Sequence, residues 1–118
     1  MFPNFSNYDS LINYVNKENL YAKLLTQIEK DFVLANIEID ISVHMLPMDL
    51  KVTLHEKIYR LILEKFDEYL NLLYIIDVSE SSFKEIKVTD VVEVAEQVSF
   101  LILKREVQKV WLKSKYSS

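Results

Sequence analysis

The chain has 118 residues, half of them hydrophobic, and a formal net charge of −4. That suits one domain with a sizeable core and excludes a disordered chain, which needs low hydrophobicity and high net charge. Glycine and cysteine are both absent. Glycine-dependent phosphate loops, dinucleotide fingerprints and nucleophile elbows are therefore excluded, as are disulfides and cysteine-bound metals.

The N-terminal MFPNFSNYDS lacks the basic region and apolar run of a signal peptide, and no stretch reaches 18 apolar residues. A cytoplasmic protein with no membrane partner is expected. Phe2, Phe5, Tyr8, Leu11, Ile12 and Val15 predict a short helix from about Tyr8 to Val15, capped by Ser6 or Asn7, after a packing arm. A second helix, about Lys17 to Ala35, puts Leu20, Leu24, Ile28, Phe32 and Ala35 on one face. Asn16 either separates the two or lies within one continuous helix.

From Asn36 to Val43 the pattern changes. Ile37, Ile39, Ile41 and Val43 alternate with Glu38, Asp40, Ser42 and His44, which is strand periodicity. A lone strand leaves its backbone unpaired. Tyr74 to Val78 and Glu85 to Val88 are candidate partners; without them the segment is an extended connector, the option favoured here. Pro47 should keep Leu46 out of helical geometry. A third helix is then expected from Asp49 or Thr53 to about Tyr74. Its stripe is Leu54, Ile58, Leu61, Ile62, Phe66, Tyr69, Leu70 and Leu73. A short turn over Phe83 to Lys87 leads to the last helix.

That last helix, Asp90 to about Trp111, is the longest periodic segment. Asp90 and Glu93 have capping-box spacing, and the lysines at its far end complement the helix dipole. It carries two apolar stripes. Val91, Val94, Ala95, Val98, Leu101 and Ile102 form the first, and Arg105 lies where it would continue. Val92, Phe100, Leu103, Val107, Val110 and Trp111 form the second. A surface helix has one stripe, so the second needs its own cover: either the arm with Phe2 and Phe5 or another chain. Phe100, Leu103, Val107 and Trp111 are the candidate interface residues on that ground.

No catalytic constellation is apparent. The two histidines, His44 and His55, are too few for a zinc site and lack zincin spacing; the helical carboxylate pairs Glu64/Glu68 and Glu93/Glu96 lack the Glu-x-x-His of di-iron bundles. No metal or cofactor is expected. Arg105, Glu106, Gln108 and Lys109 interrupt the apolar pattern, and Arg105 is placed to reach Asp77 or Glu80. Residues 97–118 hold five Lys/Arg against one Glu, whereas residues 56–96 hold five against ten acids. A basic helix in an acidic chain makes nucleic acid a poor partner; the opposite charges suggest packing within or between chains.

Leu72–Glu80 (LLYIIDVSE) followed by Leu101–Tyr116 (LILKREVQKVWLKSKY) resembles the C-terminal half of short helical bacterial proteins of no known activity. The resemblance implies a helical intracellular bacterial protein and assigns no site residue. The expectation is thus an all-α fold in a single helical domain, residues 1–118. It would be a four- to five-helix bundle, with a minor β element near 36–43 left open. The expected function is a non-enzymatic interaction module, a homodimer or a binder of a protein partner, self-associating through the C-terminal helix. The alternative is a small acidic protein that neutralises a basic partner, as immunity or antitoxin-like proteins do.

Overall fold

A computed structural model describes residues 1–87 and 89–116. It has five α-helices: α1 Tyr8–Lys17, α2 Tyr21–Leu34, α3 Pro47–Glu64, α4 Phe66–Ile76 and α5 Val91–Tyr116. A 3-10 helix, Glu80–Glu85, precedes α5. The fold is all-α, with no strand among the described residues. No helix among them is long and apolar enough to cross a membrane.

The organising element is α5. Its 26 residues span about 39 Å at 1.5 Å per residue, matching the longest dimension of the molecule, 40 Å. Asp90 caps it, its Oδ1 accepting from the Glu93 amide at 2.9 Å. α1, α2, α3 and α4 all pack on α5. Ala95, Val98, Ile102, Leu103, Val107 and Val110 of α5 join Leu24, Ile28 and Phe32 of α2, Leu50, Leu54 and Ile58 of α3, and Leu72 and Ile76 of α4 in one core.

A chain without glycine must still end its helices. Asn19, Asn36 and Asp77 do so with φ of 55°, 58° and 67°, the left-handed region that Asn and Asp enter more readily than other Cβ-bearing residues. Each is followed by an apolar residue whose amide reaches back five positions: Leu20 to Val15, Ile37 to Phe32, Val78 to Leu73, at 2.9, 2.9 and 3.2 Å. These are Schellman closures, which satisfy orphan carbonyls and fold an apolar residue back onto the helix. The break between α1 and α2 therefore falls at Asn19 rather than at Asn16.

One expectation needs correction. The predicted third helix is two helices, starting at Pro47 and broken at Lys65, where φ is −143° and ψ 61°. Leu46 is extended, as Pro47 requires, and Pro47 itself opens the helix, so Thr53 is interior. The apolar stripe divides at Lys65: Leu54, Ile58 and Leu61 stay buried, and α4 then turns Tyr69, Leu72 and Ile76 to the core. Tyr74–Ile76, a suggested strand partner, lies in this helix. Of the other partner, Glu85 closes the 3-10 helix and Val88 lies outside the described residues.

Residues 37–46 form an extended connector. Ile37 is buried and Ile39 and Ile41 half-buried, while Glu38, Asp40 and Ser42 face solvent, so the alternation is realised against helices instead of a sheet as far as Ile41; Val43 is exposed. Two tyrosines fasten this connector. The Tyr21 hydroxyl donates to the Met45 carbonyl at 2.6 Å, and that of Tyr8 donates to the Pro47 carbonyl.

Candidate functional site

The candidate interface residues of α5 do not lie on a free surface together. Leu103 and Val107 are each 1% exposed within the single chain. Phe100 and Trp111 are half-buried. Of the two covers open to the second stripe, the structure supplies the N-terminal arm: the Phe2 ring lies 5.5 Å from that of Trp111 and 5.7 Å from that of Phe5, which is itself buried. The physical reason is local. Phe2, Phe5 and Tyr14 form an aromatic group at the α5 end, and an arm already tethered to α1 covers that stripe at less entropic cost than a second molecule.

The first stripe continues through Glu106, one turn beyond Ile102, and not through Arg105. Glu106 is fully buried beside Asp31 of α2. Lys109 Nζ lies 2.5 Å from Asp31 Oδ2, 3.2 Å from Glu106 Oε1 and 3.2 Å from the Ile76 carbonyl. Gln27 Nε2 donates to Asp31 Oδ1 at 3.1 Å, and Lys113 Nζ donates to Gln27 Oε1 at 2.5 Å. One ammonium cannot neutralise two buried carboxylates. Burial, and then Asp31, push the Glu106 carboxyl up to about 9. Burial also raises Asp31, but hydrogen bonds from Glu106, Lys109 and Gln27 outweigh it and hold that carboxyl below its ordinary range. The pair thus keeps one proton at neutral pH, on Glu106, whose O–H donates to ionised Asp31. Without that proton two buried carboxylates would have to share the single ammonium of Lys109.

Strongly shifted acids often mark catalytic sites. This one is fully buried and joins α2, α4 and α5. Sequence signals for it existed: Asp31 sits among Leu24, Ile28 and Phe32 at core spacing, and Glu106 sits between Ile102 and Val110. The expected Arg105 pair does form, with Nη2 3.0 Å from Asp77 Oδ2. Asp77 is largely exposed, so the pair contributes little. His44 is exposed, and His55 sits with Nε2 3.0 Å from the Val92 carbonyl. Among the described residues no three His, Cys, Asp or Glu converge as metal ligands.

The break at Lys65 creates a different surface. Phe66, Leu70 and Tyr74 recur at intervals of four along α4 and are 52%, 49% and 81% exposed. With Tyr69, Leu73 and Phe83 of the 3-10 helix they line an open groove of about 610 Å³. Asp77 and Glu80 stand at its end, and no cation lines it. Residues 66–85 as a whole hold five acids (Asp67, Glu68, Asp77, Glu80, Glu85) and one base, Lys84. A second groove, between α1, α3 and α5, touches Phe100, Met48 and Val52 but mixes Lys51 and His55 with Asp9 and Glu96. It has neither the aromatic content nor the single charge sign of the first.

No protein-family model matches this chain, and no curated protein or solved structure matches it.

Proposed function

We propose that this chain is a non-enzymatic protein-interaction module that docks a basic amphipathic helix in the groove beside α4. The observation that carries this is the exposed row Phe66, Leu70 and Tyr74 over Leu73 and Phe83, ended by acids. Aromatic side chains supply large contact area at interface cores. An apolar groove in a helical protein takes the apolar face of a helix, with anchors at three- and four-residue spacing. The local excess of carboxylates selects Lys and Arg on the edges of that helix. Docking is favoured over catalysis because the one strongly shifted acid is sealed in the core. Masking of a separate basic protein, in the manner of an immunity protein, uses the same groove and is favoured by the same carboxylates.

The test uses two fluorescein-labelled helical peptides with the same Leu face, one edged with Lys and one with Glu. Anisotropy should rise with the Lys-edged peptide only, and Leu70→Ser with Tyr74→Ser should remove the rise while circular dichroism stays unchanged. No binding, or equal binding of both peptides, would overturn the assignment.

A further inference from the structure

We infer that the groove beside α4 is occupied by the α5 end of a second copy of this chain. This rests on the docking function proposed above and names its partner. The α5 end has the chemistry the groove selects. Leu112 and Tyr116 are exposed, Tyr116 by 80%, and stand one turn apart on one face. Lys113 and Lys115 flank them, with no acid between 112 and 116. The core claims Val107 and Val110 and the arm claims Trp111, but neither covers Leu112 or Tyr116. Lys113 is partly engaged by Gln27, and Lys115 lies over the Trp111 ring at 5.9 Å, so Lys115 keeps the greater freedom to meet Asp67 or Glu80.

The chain is thus acidic and apolar beside α4, and basic and apolar at the end of α5. Its own α5 end does not fill its own groove: Arg105 already meets Asp77, and Tyr116 lies eleven residues farther along a rigid helix, about 16 Å away. A second copy brings the two surfaces together. If two copies exchange ends reciprocally, both grooves fill and the assembly closes about a two-fold axis. Each contact alone is small beside the roughly 800 Å² per partner of a stable interface, so association should be concentration-dependent.

Sedimentation equilibrium over a broad concentration range tests this. The mass should rise from the monomer's 14.0 kDa towards twice that value. Tyr74→Glu and, separately, Lys113→Glu with Lys115→Glu should each weaken association by about tenfold or more with helix content unchanged. Adding Asp67→Lys and Glu80→Lys to the second variant should restore it. A chain that stays monomeric throughout, or association untouched by both variants, would overturn the inference. If the Lys-edged peptide still binds such a monomer, the docking function stands and the partner is a different protein; if the peptide also fails, both fall.

Discussion

Glu106 couples the stability of this fold to pH. Its folded-state value of about 9 lies above the ordinary 4.5, so between those limits the folded chain holds a proton that the unfolded chain has released. Stability is then greatest, with respect to this group, below about 4.5 and falls as pH rises through 9. Glu106→Gln keeps the shape and a donor for Asp31 without the titration. Urea unfolding at pH 5, 7 and 9 should show wild-type stability declining and the variant nearly level, with the variant the more stable at pH 9. A parallel decline in both would place the pH dependence elsewhere. Asp31 has the opposite sign: its lowered carboxyl contributes stability above its ordinary 3.8 that is lost in stronger acid. Lys109→Met should cost about 3–5 kcal/mol, because it strips the counter-ion from a buried carboxylate. The left-handed helix ends are a second test at single residues. Asn36→Ala should destabilise by about 1–2 kcal/mol and Asn36→Gly should not, since only the Cβ conflicts with that backbone. These devices were partly legible. Acids at core spacing on two helices and Asn or Asp before an apolar residue are visible in the letters. That Asp31 and Glu106 face each other is not, because it depends on how α2 crosses α5.

At the scale of helices, α5 was the most legible element, and its two stripes did predict burial on two sides. What periodicity could not supply was the identity of the cover, since an arm and a second chain present the same apolar chemistry. The α3–α4 break was hidden for another reason. No glycine or proline marks it, Lys65 is a good helix former, and the apolar spacing from Leu54 to Leu73 carries straight through. The break turned Phe66 and Leu70 from expected core into exposed surface, and with them the candidate site moved from α5 to α4. Two glutamate substitutions separate the surfaces. Leu103→Glu puts a charge at a position 1% exposed and should abolish the helical circular-dichroism signal at room temperature, because an unpaired buried charge has no compensation. Tyr74→Glu, on the exposed row, should shift the urea midpoint by no more than about 0.5 kcal/mol equivalent. A folded Leu103→Glu chain would show that the arm and stripe part easily, returning Phe100, Leu103, Val107 and Trp111 to the position of an interface.

At the scale of the molecule, the opposite charges of residues 56–96 and 97–118 were legible by counting, but their use was not. Within the chain they meet mainly through Arg105 and Asp77. The cations nearest the core, Lys109 and Lys113, turn instead to Asp31 and Gln27 of α2; Lys65 meets Glu68 at 3.5 Å, and of the two carboxylates that line the groove Asp77 pairs with Arg105 while Glu80 has no ion pair among the described residues. α5 also sets how the molecule should unfold. It carries core residues shared with α1, α2, α3 and α4, and it holds Trp111, the sole tryptophan. Loss of α5 packing should therefore remove the whole core at once, as in a two-state domain. Urea transitions followed by Trp111 fluorescence and by circular dichroism should coincide. The contact at risk is the arm, which reaches Trp111 through Phe2 alone among the ring contacts. A fluorescence transition at lower urea than the helix transition would mean that the arm opens first. The second stripe of α5 would then become accessible in a chain that is still folded, and self-association should grow stronger over the same range of urea.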